Sequence, residues 1–172
     1  MPEKKLPIGI QSFETLIERN NVYVDKTKYI YKMVDEGMFY FLARPRRFGK
    51  SLLVSTLQAL FEGRKELFKG LWIENSNWQW QPHPVVKIDF NGIDATDAKI
   101  LEKSLCLRLN RIAKQHGITL TDDILSNRFV ELLAELYTKY QEKIVVLIDG
   151  LPCLLPGVVK VMQEAVVRAP GV

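Results

Sequence analysis

The chain has 172 residues, which is long enough for one domain with a sizeable hydrophobic core. Hydrophobic residues make up 47% and charged residues 26%, an ordinary balance for a globular protein, and no apolar run approaches the ~20 residues that span a bilayer. The N-terminus lacks the apolar segment of a secretory signal, and Cys106 and Cys153 show neither metal-ligand spacing nor a disulfide framework. We therefore expect a cytoplasmic protein with no membrane partner.

The net charge of +4 is concentrated near the N-terminus. Residues 1–50 contain ten Lys and Arg against six Asp and Glu, whereas residues 51–172 contain fourteen of each. A basic cluster attracts phosphate groups, which a nucleotide and a nucleic-acid backbone both carry. The charge alone therefore leaves both partners open.

The first third of the chain predicts two short helices and a strand. Ser12 is a typical N-cap for a helix that follows directly. Asp25 can cap a second helix over residues 26–35, which Gly37 would end. The apolar run Met38–Ala43 then predicts a buried strand.

The rest of the chain alternates helical and extended patterns. Val85–Phe90 and Ile144–Asp149 are short apolar runs that predict strands. Apolar spacing predicts helices over residues 51–61, from Thr96 or Asp97 to His116, and over residues 126–140. Strands that alternate with helices predict an α/β fold with a parallel sheet.

Several aromatic and histidine residues are more typical of structural roles than of a site. Trp72, Trp78 and Trp80 lie in a less regular stretch, where aromatic rings usually pin a loop to the core. His83 and His116 are isolated in sequence, which favours surface or capping roles over catalysis.

A Gly-Lys-Ser motif follows the first predicted strand and a basic turn. Gly49 and Lys50 stand at the start of a predicted helix, where backbone N–H groups and the helix dipole favour an anion and the lysine can reach the outer phosphates. The Ser51 hydroxyl is of the kind that ligates magnesium. The common pattern G-x-x-x-x-G-K-[ST] has glycine where this chain has Arg44. The motif predicts a phosphate-binding loop.

The strand that ends in Asp149 predicts the second half of a nucleotide site. A hydrophobic strand with a terminal aspartate is the Walker B arrangement, in which Asp149 would hold Mg²⁺ next to Ser51. Lys50 and Asp149 are therefore the predicted catalytic residues, and Ser51 and Asp149 the predicted metal ligands. Asp89 ends the other C-terminal strand and can lie near the same site. The structural alternative is that Lys50 is a solvated lysine and Asp149 a turn residue.

Four stretches resemble the bacterial AAA-ATPase-like family. They are Leu6–Phe13, Tyr23–Thr27, Phe41–Leu52 and Leu60–Trp72. Arg-Pro-Arg-Arg-Phe-Gly-Lys-Ser is the usual Walker A loop of that family, so Arg44 conforms to it. The resemblance implies a P-loop fold that binds ATP and Mg²⁺, and members often continue into a PD-(D/E)XK nuclease-like domain. It also implies ATP contacts at Arg46, Arg47, Phe48, Gly49, Lys50, Ser51 and Leu52.

The resemblance ends inside the Walker B motif. The family continues with a glutamate that would polarise the attacking water, whereas this chain has Gly150. We therefore expect Mg-ATP binding with weak or absent hydrolysis, and whether the chain is an enzyme stays open. The tail 150–172 is expected to be an aberrant or divergent ending, such as a frameshift would produce, and reading the other frames after codon 149 tests this.

These patterns together predict an incomplete P-loop domain. Residues 1–37 would form an extension packed on the core, 38–149 a partial ATPase-like domain, and 150–172 the tail. About three core strands are predicted where such sheets have about five or more, so uncovered faces favour self-association. The alternatives are a nucleic-acid-binding module that uses the basic cluster, and a non-functional remnant of a longer ATPase–nuclease gene.

Overall fold

The computed structural model describes residues 4–37, 40–42, 45, 47–91 and 97–150. The chain divides into two compact units, Met1–Pro82 and His83–Val172. None of the helices in the described ranges is long and apolar enough to cross a bilayer.

The first unit contains three α-helices: α1 (Phe13–Glu18), α2 (Thr27–Glu36) and α3 (Lys50–Phe61). Two short 3₁₀-helices follow, Lys65–Phe68 and Trp72–Asn75. The Ser12 side chain accepts a hydrogen bond from the Thr15 N–H, which confirms the predicted cap of α1. The predicted helices over residues 26–35 and 51–61 are confirmed to within one residue.

Asp25 was predicted to cap α2, but the N-cap is Lys26, which makes no side-chain cap bond. The Asp25 side chain nevertheless holds the start of the helix. Its Oδ1 accepts hydrogen bonds from the Thr27 N–H and hydroxyl, and its Oδ2 accepts from the Trp72 N–H at 2.7 Å. The fully buried Thr27 in turn accepts from the Ile73 N–H at 3.1 Å. Burial raises the pKa of Asp25, but the hydrogen bonds from Thr27 and Trp72 outweigh it and lower this pKa below its ordinary value. The start of α2 is thus fixed to the second 3₁₀-helix.

The predicted strand Met38–Ala43 is wrong for the residues that can be compared. Tyr40, Phe41 and Leu42 are not in a strand, and their side chains are 54%, 78% and 41% exposed. A central strand buries its side chains on both faces and pairs its backbone with neighbours, and these three residues do neither. The Tyr40 hydroxyl instead donates to the carbonyl of Met33 at the end of α2. The ends of the predicted strand, residues 38, 39 and 43, lie outside the described residues.

The second unit is a two-stranded parallel sheet with a helical layer. Strand β1 (Val85–Asp89) pairs in register with β2 (Val145–Asp149), and the helices α4 (Ala98–Gln115) and α5 (Leu125–Tyr140) lie between them in sequence. The Asp97 carboxylate caps α4, as one of the two predicted alternatives had it. The predicted strands and helices of this part are confirmed with shifts of one or two residues at their ends.

One face of this sheet and the two helices share an apolar core. Val86 and Ile88 of β1 are fully buried among the inward residues of α4 and α5, and Val146 and Ile148 of β2 pack against the same cluster. Because side chains alternate along a strand, the odd-numbered residues of both strands lie on the opposite face. Asp89 and Asp149 are among these.

The predicted fold class is confirmed: the protein is α/β, with a parallel sheet flanked by helices and consistent with an incomplete P-loop-like fold. The described residues contain two strands, not the predicted three or so. The predicted domain boundaries at residues 37/38 and 149/150 stay predictions, and residues 151–172 lie outside the described residues.

Candidate functional site

The basic loop before α3 has an unusual backbone. Arg47 has φ +69° and Gly49 has φ +74°, so a left-handed non-glycine residue and a left-handed glycine flank Phe48. Such a conformation is strained for arginine and is common where a loop is shaped for a ligand. Phe48 is 63% exposed, so its ring does not anchor the loop in the core. Arg44 and Arg46 lie outside the described residues.

The N-terminus of α3 directly follows this loop. Gly49 is the N-cap, has no side chain to cap the helix, and accepts a hydrogen bond at its carbonyl from the Leu53 N–H. The N–H groups of Lys50, Ser51 and Leu52 have no acceptor four residues back within the helix. A Cβ atom built on Gly49 would meet none of the described residues within 4 Å, so the space beside its Cα is open to them. This arrangement can accept an anion.

Residues that the sequence interpretation did not single out hold α3 in place. The Ser55 hydroxyl accepts a hydrogen bond from the Phe13 N–H at 2.9 Å, which joins α3 to the start of α1. The buried Thr56 donates to the Leu52 carbonyl and is a hydrogen-bond partner of Tyr23. Burial raises the pKa of Tyr23, and the bond with Thr56 partly offsets this. The sequence does contain a signal for Ser55 and Thr56. Both are hydroxyl residues on a face of α3 that apolar residues otherwise occupy.

Asp149 lies at the carboxyl end of β2, as predicted. It is 6% exposed, and its carbonyl accepts a hydrogen bond from the Phe90 N–H at 2.8 Å. Within the described residues, its carboxylate forms no hydrogen bond and no ion pair. A carboxylate at the end of a parallel strand, with no partner among the described residues, is suited to a cation or a ligand.

The end of β1 supplies polar neighbours for Asp149. Asp89 is its register partner, and the Asp89 carboxylate accepts a hydrogen bond from the Asn91 N–H at 2.7 Å. The Asn91 side chain lies against the backbone of Gly150, since a Cβ atom there would approach its Oδ1 to 2.7 Å. Gly150 itself has φ +72°, a conformation that favours glycine.

The structure thus groups the predicted residues into two sets. Arg47 to Leu52 share the loop and first turn of α3, where Lys50 and Ser51 are half-buried. Asp149 belongs to the second unit, together with Asp89. In the described ranges, no group of three or more His, Cys, Asp or Glu side chains is placed to hold a metal ion.

The tryptophans and histidines have structural contacts. Trp72 packs edge-on against Tyr31, Trp78 against Phe61, and Trp80 is tilted against Phe68. Trp78 and Trp80 are half-buried, as their predicted anchoring role requires, whereas Trp72 is 42% exposed. His116 is the C-cap of α4 and contacts the Tyr140 hydroxyl at 2.9 Å, so its predicted capping role is confirmed.

Comparison with known proteins identifies the class. The family described as "Predicted AAA-ATPase" matches residues 7–151, and the chain therefore belongs to this AAA-ATPase-like family. A protein of Azotobacter chroococcum mcd 1, named "Uncharacterized protein in vnfD 5'region", is 42% identical over 151 residues. The match covers 87% of this chain but only 29% of that relative. No solved structure matches the chain.

Proposed function

We propose that this protein binds a magnesium-complexed nucleotide, ATP in the first instance, through the loop and first turn of α3. The observation that carries the proposal is the N-terminus of α3, which has no side-chain cap and directly follows the left-handed residues Arg47 and Gly49. Family membership supports the same conclusion. Three backbone N–H groups, the helix dipole and the Lys50 ammonium group are all suited to phosphate oxygens.

The residues present fit the two groups of the ligand. In the proposal, Arg46, Arg47 and Lys50 neutralise the phosphates, while the N–H groups from Phe48 to Leu52 orient them. The Ser51 hydroxyl supplies one oxygen to Mg²⁺. The buried carboxylate of Asp149, which has no partner among the described residues, supplies another. Magnesium would neutralise charge on the phosphates as the bond to the outer phosphate weakens.

We further propose that nucleotide binding exceeds hydrolysis. Hydrolysis needs a group that orients and deprotonates water, and the residue after Asp149 is Gly150, which has no side chain. Lys50 and Asp149 can still stabilise charge, which supports slow turnover at most. That a nuclease domain is joined to this one in a longer protein, and that it is active there, is likewise a proposal.

Binding of a fluorescent ATP analogue to the full chain, with and without Mg²⁺, tests this function. We expect saturable binding that Lys50→Ala weakens by more than about tenfold, because charge-assisted bonds to phosphate are lost. Lys28→Ala is the matched control, since Lys28 is an exposed lysine of α2 in the same unit. We expect it to bind the analogue like the wild type.

Two results would contradict the proposal. Equal binding by the Lys50→Ala and wild-type proteins would remove the loop from the site. Salt-sensitive binding of DNA that does not depend on Lys50, without nucleotide binding, would instead favour the nucleic-acid alternative. The aromatic contacts of the half-buried Trp78 and Trp80 argue against that alternative, since rings held by neighbouring side chains are less available to stack on bases.

A further inference from the structure

We infer that Asp89 is a second carboxylate ligand of the divalent cation that Asp149 binds, so that the ends of β1 and β2 form one acidic cation site. The inference rests on the proposed function for the identity of the cation, Mg²⁺. Asp89 and Asp149 both belong to the second unit. Neither the family match nor the sequence motifs assign a metal to Asp89.

The parallel register brings the two carboxylates together. Asp89 and Asp149 are direct partners in the ladder, and both are the last residue of their strand. Ile88 and Ile148, one residue earlier, pack into the core shared with α4 and α5, so both aspartates lie on the opposite face. Since neighbouring strands are ~4.8 Å apart, two such side chains can reach a single cation.

The charge balance at this position calls for a cation. Asp149 is 6% exposed, and in the described residues neither aspartate forms an ion pair with a lysine, arginine or histidine. Like charges placed directly opposite each other destabilise a sheet. A divalent cation between the two carboxylates removes this cost.

The chemistry of the pair favours magnesium. Mg²⁺ prefers oxygen ligands, keeps several of its waters, and is commonly bound through one or two carboxylates plus phosphate oxygens. Asp89 and Asp149 supply two carboxylates. The other coordination positions stay available for water and for a nucleotide.

The bond from Asp89 to the Asn91 N–H is the competing explanation, because aspartate at this position also makes a local turn. Asp89→Asn separates the two roles. An asparagine side chain keeps an oxygen acceptor for the Asn91 N–H but loses the negative charge. Asp89→Ala loses both.

Titration of the full chain with Mn²⁺, followed by electron paramagnetic resonance without nucleotide, tests the inference. We expect one site that Mg²⁺ displaces, with an affinity that Asp89→Asn and Asp149→Asn each lower by roughly tenfold, since ligand charge sets affinity. Asp123→Asn is the control for the loss of one charge, because Asp123 is a fully exposed residue of the same unit. Thermal melts of each variant show whether it is folded.

The outcomes separate this inference from the proposed function. Wild-type Mn²⁺ affinity in Asp89→Asn overturns the inference, whether or not Asp89→Ala binds less, because only the turn then matters. Absence of a saturable site in the wild type overturns it too. Lys50→Ala should leave Mn²⁺ binding unchanged, so loss of nucleotide binding in that variant supports the loop independently of this result.

Discussion

The loop before α3 and the end of β2 carry the two halves of the proposed chemistry in opposite settings. The described residues of the loop are exposed, and a Cβ atom on Gly49 meets none of the described residues within 4 Å. At the end of β2, Asp149 is 6% exposed, and a Cβ atom on Gly150 would approach the Asn91 side chain to 2.7 Å. Gly49 and Gly150 nevertheless share nearly the same left-handed backbone, with φ +74° and +72°.

This difference shows where each half gets its function. At the loop, the reactive groups are backbone N–H groups and nearby basic side chains, which the local sequence supplies almost alone. At the strand end, the Asp149 carboxylate is suited to bind a cation because of its surroundings, which leave the residue 6% exposed and place Asp89 beside it. Substitutions in the loop should therefore change binding through the groups they remove, and change stability only through the strain of the left-handed backbone. Substitutions at the strand end should change both.

The largest expected effect comes from adding one methyl group at each glycine. Gly150→Ala should lower the free energy of unfolding by about 2 kcal/mol, because left-handed strain adds to the contact with Asn91. Gly49→Ala should cost only the strain, about 1 kcal/mol. Urea unfolding of both variants measures the difference. An Asn91→Ala background should reduce the cost at Gly150, and equal costs in that background and in the wild type would show that Asn91 does not crowd this position.

The same crowding bears on catalysis. The family resemblance predicts a glutamate where this chain has Gly150, which makes Gly150→Glu the direct substitution for restoring hydrolysis. A glutamate in this left-handed, crowded position would be strained and could not hold the geometry of a general base. We expect Gly150→Glu to remain as slow as the wild type in a phosphate-release assay. A rise of more than about tenfold would contradict this and show that the strand end rearranges.

The sequence predicted local features of this protein better than features that depend on distant parts of the chain. Amphipathic spacing and caps at Ser12 and Asp97 predicted the helices well, because these signals act within a few residues. The loop motif and Asp149 were also evident from the sequence. The prediction failed at Met38–Ala43, where an apolar run has the composition of a buried strand but its described residues are exposed. A strand depends on distant partners, which a local pattern does not contain.

Several residues have roles that depend on tertiary contacts, and the sequence alone did not predict those roles. The pairing of Asp89 with Asp149 depends on the register of two strands more than fifty residues apart in sequence. The contacts of Asp25 with Trp72 and of Ser55 with Phe13 likewise join distant segments. No spacing rule gives these partners, although the residue types were compatible with them.

A smaller effect is expected from the strained arginine of the loop. Arg47→Gly should raise the free energy of unfolding by about 1 kcal/mol, because glycine adopts φ +69° without steric cost, although extra freedom of the unfolded chain offsets part of the gain. It should also weaken nucleotide binding through loss of the charge. Arg47→Ala loses the same charge but keeps the strain, so it should bind as weakly and gain no stability. If Arg47→Gly is no more stable than Arg47→Ala in urea unfolding, the backbone of the loop is not strained.

The smallest expected effect is a difference in how the two units respond to mild acid. Burial, with a further contribution from Lys139, lowers the pKa of His116 in the second unit below its ordinary value. The folded state therefore prefers neutral His116. Its stabilising contribution is complete above the ordinary histidine pKa and is lost as the pH falls through the lowered value. Asp25 in the first unit also has a lowered pKa, but its contribution is lost only at much more acidic pH, below the ordinary range of a carboxyl.

The three tryptophans make this difference measurable, because all of them lie in the first unit. Their fluorescence reports unfolding of that unit, whereas far-ultraviolet circular dichroism reports the helices of both. Between about pH 7.5 and about pH 5, we expect the urea midpoint from circular dichroism to fall slightly while the fluorescence midpoint changes less. His116→Gln should remove most of the difference. Identical shifts of the two midpoints in the wild type would mean that the units unfold together. The difference between the loop, which depends on local sequence, and the strand end, which depends on its surroundings, would then concern ligand binding but not stability.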